Sequence, residues 1–293
     1  MKDKLNSKKF LLTIQMVLAM ATWGLSWTNA KILGDYGSPS LMMFWRFFFA
    51  MLSFAPVVFF SKHSFKVSKD SYLKVILGAL CITSYNFFYF KGTQLGFAGI
   101  GGVLVPTFNP IFTTIVSAGF FSSFLYRKDI VGLLFGILGG LILIRTWELN
   151  LEMFFQSGNM YFILASFSWA GLTNVIAHGK GSISFITFTF WCYFCSIFFS
   201  FFLTNGIDLF SIFSFDWIFW LNMMILSTVA MAFGTSTYFK ATTVMGPKKA
   251  SSYIFMVPIT AVIFALIFLG EPIHFSTIIG GAFAGVAVYL INK

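Results

Sequence analysis

The chain of 293 residues is 58% hydrophobic and 20% aromatic but only 10% charged, and 19 basic against 9 acidic residues leave a net charge of +10. So large an excess of apolar over charged residues excludes both an ordinary water-soluble domain and a disordered chain. A membrane-spanning helix needs about 20 apolar residues, so ten helices would use roughly 200 and leave only short loops.

In chain order, apolar runs between charges cover 10–30, 41–61, 74–90, 98–126, 130–144, 153–177, 184–204, 217–239, 250–270 and 275–292. A bilayer core offers no water to backbone groups, and these runs lack the short alternation of barrel strands, so each is predicted as a helix. The expected fold class is an all-α polytopic membrane protein with ten transmembrane helices. Lys2, Lys4, Lys8 and Lys9 precede the first run much as in a signal peptide. That run is about 21 residues long, carries Trp23, Trp27 and Asn29, and lacks a small-residue cleavage site, so a first membrane helix is predicted instead.

Placing the chain through ten spans segregates the charges. Fifteen of the nineteen basic residues fall on the side of the N-terminus, Lys31, Lys91 and Arg145 fall on the other, and Arg46 falls inside the second run. The positive-inside rule then makes both termini cytoplasmic. Basic residues scattered over short segments argue against a nucleic-acid partner; the expected partners are the lipid bilayer and a small-molecule substrate. Cys81, Cys192 and Cys195 lie within apolar runs, and the C-x-x-C pair has no further ligands nearby, so disulfide, metal and cofactor chemistry are not expected.

The chain repeats itself. Tyr89-Phe90-Lys91-Gly92-Thr93 recurs as Tyr238-Phe239-Lys240-Ala241-Thr242, and Pro110 and Pro258 follow at nearly equal distances. Trp23-Gly24 is echoed by Trp169-Ala170-Gly171, and Gly132, Gly136 and Gly140 of the fifth run by Gly281 and Gly285 of the tenth. The expected units are 1–146 and 147–293. Five spans is an odd number, so the second unit is expected upside down relative to the first, an architecture recurrent in secondary transporters.

At this point the residues resemble a known family. The series Tyr238-Phe239-Lys240-Ala241, Gly246-Pro247-Lys248-Lys249-Ala250-Ser251, Pro258, Leu269-Gly270-Glu271, Gly280-Gly281 and Gly285 is similar to the EamA family of the drug/metabolite transporter superfamily. In the first half Trp23-Gly24, Lys31 and Arg46-Phe47 resemble the same pattern. Ser123 stands where the first half should match Glu271, so a role needing both acids is not available. The resemblance implies movement of amino acids or related metabolites, most often outward, in a bacterial inner membrane.

Candidate substrate-binding residues follow from helical faces. Tyr85, Asn86 and Tyr89 share one face of the third run, and Thr235 and Tyr238 one face of the eighth. Amides are costly against lipid, which argues Asn86, Asn109 and Asn174 inward with Thr173; Trp23 and Trp169 join them by their matched places in the repeat. Pro106, Pro110 and Pro258 each remove a helical hydrogen bond and free a carbonyl four residues earlier, which predicts cavity-lining breaks in spans four and nine. Arg46 lies about five residues into its run, roughly 9 Å deep, where it either snorkels to the surface, joins an ion pair or meets a substrate anion. The glycine ladders predict that spans five and ten pack together and join the halves, making a monomer sufficient.

No acid falls well inside a run, so proton antiport through a buried carboxylate is disfavoured and facilitated movement of a neutral or zwitterionic solute is expected. A flippase for a lipid-linked intermediate is the alternative, with Lys248 and Lys249 at headgroup level. An intramembrane enzyme is the weaker one, because His63, His178 and His274 are far apart and no nucleophile or metal motif accompanies them.

Overall fold

The computed structural model describes residues 2–60, 64–121, 126–143, 145, 147–148, 157–179, 181, 183–246, 250 and 253–292. Ser123, Lys248, Lys249 and most of the expected divide at 147–152 therefore lie outside the described residues. Every regular element among them is helical. We number the helices α1 (Lys2–Gly34), α2 (Pro39–Phe60), α3 (Lys69–Leu95), α4 (Ala98–Phe121), α5 (Arg127–Leu143), α6 (Asn159–His178), α7 (Phe185–Phe202), α8 (Trp217–Met245), α9 (Met256–Leu269) and α10 (Phe275–Asn292). Seven of them, α1 to α4 and α6 to α8, are long and apolar enough to cross a membrane; α5, α9 and α10 carry shorter apolar stretches.

Local chemistry sets several boundaries. The Ser184 hydroxyl accepts the Thr187 N–H at 3.1 Å and starts α7, and the Asp216 carboxylate accepts the Phe219 N–H at 3.0 Å and starts α8; both satisfy donors that a first helical turn leaves orphaned. Gly158, at φ +77°, turns the chain into α6. A β-carbon there would lie 2.6 Å from the Gly92 carbonyl oxygen, so the position demands glycine on two counts.

Two expectations about breaks need correction. α4 runs as one α-helix through Pro106 and Pro110. Pro258 does not interrupt a span: α9 begins at Met256 after a 3-10 turn at Tyr253–Phe255, so this proline sits in a first turn, where a missing N–H costs nothing. The pronounced irregularity lies in α8 instead. Between α-helical ends at Trp217–Met224 and Ser236–Met245, its residues Ile225–Thr235 form a π-helix.

The helices pair with an internal symmetry. α3 and α4 pack on α6, and in the same way α8 and α9 pack on α1; α2 with α7, α4 with α9, and α5 with α10 pair equivalent members of the two sets of five. The α5–α10 seam is extensive, but of the two glycine ladders only Gly136 reaches it, where an added β-carbon would lie 3.5 Å from Ala287. Added β-carbons would lie 2.4 Å from Ile111 at Gly136 and 2.4 Å from Phe108 at Gly140, so the α5 glycines admit α4 side chains; Gly132 is buried as well. Gly281 and Gly285 face open space. The helical period places them about 160° from the face of α10 that meets α5, where Phe283 packs on Phe135 with ring centres 5.6 Å apart and Ala287 approaches Gly136.

Candidate functional site

At the centre of the bundle, α1, α2, α3 and α4 meet α6, α8 and the start of α9 around a cavity of about 30 Å³, room for about two waters. Among the proposed site residues, Trp23, Arg46, Tyr85, Pro106, Asn109, Trp169 and Thr235 line it. Its walls come from both sets of five helices.

Aromatic rings form most of that wall. Trp169 stands edge-on to Trp23 at 5.1 Å and to Tyr85 at 4.7 Å, and Tyr238 backs both tryptophans at 5.3 and 5.7 Å. The Trp23 indole donates to the Ala230 carbonyl at 2.9 Å, and the Tyr193 hydroxyl donates to the Met231 carbonyl at 2.8 Å. Both acceptors lie in the π segment of α8. The wider π turn leaves carbonyls turned from the ordinary helical ladder, and two donors from neighbouring helices hold it open beside Thr235.

Arg46 is the cavity's cation. α2 begins at Pro39, two residues earlier than the apolar run, so Arg46 lies a turn and a half or more from the helix end. Its side chain is 5% exposed and points into the bundle rather than snorkelling. Nη1 donates to Asn86 Oδ1 at 2.7 Å, and the guanidinium carbon lies 5.1 Å from the Tyr89 ring centre and 5.7 Å from that of Phe90. Asn86 is oriented for this by donating its own Nδ2 to the Ile82 carbonyl at 2.7 Å. The ion pair recorded among the described residues is Arg145 with Glu148, away from this site; the neighbours of Arg46 are an amide and ring faces.

Other proposed residues sit behind or beside the cavity. The Tyr89 hydroxyl donates to the Ser26 carbonyl at 2.5 Å, tying α3 to α1. Thr173 bonds the Trp169 carbonyl and lies 3.4 Å from the Tyr238 hydroxyl. Asn174 belongs to the α4–α6 seam, where it accepts from Ser117 at 2.6 Å and donates to the Thr113 carbonyl. Pro110 is buried in α4. Pro258, Gly281 and Gly285 line a separate apolar groove of about 590 Å³ between α9 and α10, so neither the proline nor these glycines act where the sequence placed them.

Sequence reasoning passed over Ser26, Trp27, Val105, Ile254 and Val257, which also line the cavity. Trp27 had a signal, since it lies one turn from Trp23 on the same face. Its ring meets Tyr89 at 4.6 Å and Phe162 at 5.8 Å, and a β-carbon at Gly101 would come within 2.7 Å of both Trp27 and Phe162. One turn further along α1, Lys31 lines a vestibule of about 570 Å³ with Asp35, Phe97, Arg145, Glu271 and His274 among others. Lys31 donates to the Gly96 carbonyl at 2.9 Å, and Glu271 accepts the Ala98 and Gly99 N–H groups, each at 2.8 Å.

Known proteins resemble the chain at three levels. In sequence it is 31% identical over 156 residues, 53% of this chain and 49% of the relative, to a protein of Salmonella typhimurium (strain LT2) named a probable amino-acid metabolite efflux pump. It is 23% identical over 151 residues, 50% of this chain and 49% of the relative, to the uncharacterized transporter YyaM of Bacillus subtilis (strain 168); each alignment thus spans about half the relative's length. In fold it matches a solved crystal structure with a TM-score of 0.67 at 16% identity, over 97% of this chain and 96% of the other. The model of the EamA-like transporter family matches twice, at residues 11–145 and 156–293, and the chain belongs to that family, within the drug/metabolite transporter superfamily.

Proposed function

We propose that this transporter moves small organic metabolites, amino acids or related solutes, by alternating access through the central cavity, by export or facilitated exchange across a bacterial inner membrane. The reading takes ten spans as two inverted five-helix repeats with both termini cytoplasmic. The observation that carries it is a cavity walled by α1 to α4 from one set of five and α6, α8 and α9 from the other. At about 30 Å³ that cavity is far below the roughly 300 Å³ and more of ordinary ligand pockets, so the state described is occluded and the halves must part to admit a solute. The equivalent pairings of α2 with α7, α4 with α9 and α5 with α10 provide the surfaces on which two halves can rock. The relative named as an efflux pump supports the outward direction.

The test is expression in a sensitive host with an untargeted comparison of metabolites inside and outside the cells. A set of solutes displaced to the medium only when the chain is present is the expected result; unchanged distributions at verified membrane expression would count against transport. One observation favours the flippase reading, the apolar groove between α9 and α10. Equal handling of lipid-linked and water-soluble forms of one headgroup would support it.

A further inference from the structure

Arg46 Nε lacks an acceptor in the cavity, and the Trp169 N–H has only the Tyr238 hydroxyl beside it. Arg46 Nε is buried without a hydrogen-bond partner, although Nη1 of the same guanidinium is engaged by Asn86. The Trp169 indole N–H is likewise buried without a well-formed bond, lying beside the Tyr238 hydroxyl. Both residues line the same cavity, and both side chains are more than nine-tenths buried. Buried donors are ordinarily satisfied, and an orphaned one costs desolvation that only an acceptor returns.

The charge balance points the same way. Asp35, Glu148 and Glu271 lie at the vestibule, and Asp208 and Asp216 lie in the turn before α8. The cavity lining therefore carries one positive side chain and no acid. A cationic solute would meet Arg46 with nothing to offset the repulsion. A doubly charged phosphate monoester would bring more negative charge than one guanidinium neutralises. A single carboxylate matches both the charge and the planar donor edge of arginine, while Trp23, Tyr85 and Trp169 offer ring faces and edges to an apolar or aromatic body.

Resting on the transport reading above, we propose that the preferred substrates are monocarboxylates with an apolar or aromatic body, the carboxylate held by Arg46 Nε and the Trp169 N–H. An ammonium group on the same solute is tolerated rather than recognised, because the described cavity lining supplies no acid for it.

Five probes sharing one body test this against the purified full chain in detergent, by calorimetry and thermal shift: 3-phenylpropionate, phenylalanine, 3-phenylpropionamide, 2-phenylethylamine and 2-phenylethyl phosphate. The propionate should bind at least roughly tenfold more tightly than the amide, the size expected for a charge-assisted bond, and the amine should be weakest. Arg46→Gln should erase the gap between propionate and amide, and retained amide binding by that variant would show that it is folded. Trp169→Phe keeps an aromatic ring without the N–H and should weaken the propionate several-fold, and more than it weakens the amide, whose oxygen is the poorer acceptor. Amide or amine binding as tight as the propionate would overturn the assignment, as would binding by none of the five. Preference for the phosphate would transfer the site to another anion and also overturn it. Each of these leaves the transport reading to the efflux experiment, which uses none of these probes.

Discussion

Glu271, just beyond the end of α9, accepts the backbone N–H of Gly99 at the start of α4, and its second oxygen takes that of Ala98. A carboxylate from the second half of the chain thus caps a helix of the first, where the N-terminal dipole favours negative charge. Ser123, the matching position of the first half, lies outside the described residues.

That clamp gives the first prediction. Glu271→Gln keeps the size but leaves one acceptor oxygen for two N–H groups, and should cost about 1–3 kcal/mol. Thermal unfolding in detergent measures the loss. A cysteine placed at Ile100, which lines the vestibule, should also label faster in the Glu271→Gln background; an unchanged labelling rate would show that the clamp does not order the vestibule wall.

A pH dependence follows from the loop before α8. The Tyr36 hydroxyl donates to Asp216 at 2.6 Å. That bond, chiefly, raises the Tyr36 pKa, and it is the first cause of the lowered Asp216 pKa, ahead of the Phe219 N–H. A depressed carboxylate pKa stabilises above the unfolded value of about 4, and the contribution is lost as pH falls through the lower folded value. A raised tyrosine pKa stabilises below its unfolded value of about 10 and is lost as pH rises through the higher folded one. The difference in thermal midpoint between the unsubstituted protein and Tyr36→Phe should therefore be level from about pH 5 to 9 and shrink on both sides. Both groups are exposed, so the plateau is small.

Glycine substitutions should separate two kinds of position. A β-carbon at Gly24 would lie 1.9 Å from Thr260 Oγ1 and 2.9 Å from the Ala261 backbone nitrogen, where α1 crosses α9. Gly24→Ala should destabilise by about 1–3 kcal/mol, the range for overpacking. At Gly281 the same atom meets nothing within 4 Å, and Gly281→Ala should be neutral or gain up to about 1 kcal/mol from helix propensity. Parallel thermal denaturation of the two variants settles the contrast, and equal losses would contradict it.

The π segment of α8 should depend on its two outside donors. Trp23→Phe and Tyr193→Phe each remove one bond, to Ala230 and Met231 respectively, at about 0.5–1.5 kcal/mol apiece. Because both bonds support one irregular turn, the double variant should depart from additivity. It should also lose transport more than either single change, as Thr235 shifts from the cavity wall. Additive stabilities with full transport would mean that the π turn stands without them.

How much was legible beforehand differs from residue to residue. Tyr85 was readable from the helical period, and Trp23 and Trp169 from internal repetition. Asn86 was readable as buried, though its bond to Arg46 was not, since the two are 40 positions apart. Asn174 has the same chemistry as Asn109 yet serves a helix seam, and no local pattern distinguishes them. Pro258 and Gly281 were misplaced because a residue type announces a local conformational need, not which neighbour or opening it faces.

The sequence by itself determined that this chain belongs in a bilayer, that its segments are helices, and that its two halves are related. Those properties follow from apolar content, from the backbone's need for hydrogen bonds in lipid, and from residue order, all local or additive along the chain. Only the tertiary structure decided that Arg46 turns inward among neutral partners, that Trp27 lines the cavity against Tyr89, and that α8 opens into a π turn. Each of these depends on which helices touch and at what height. Packing between distant segments settles that, and it leaves no trace in the order of residues.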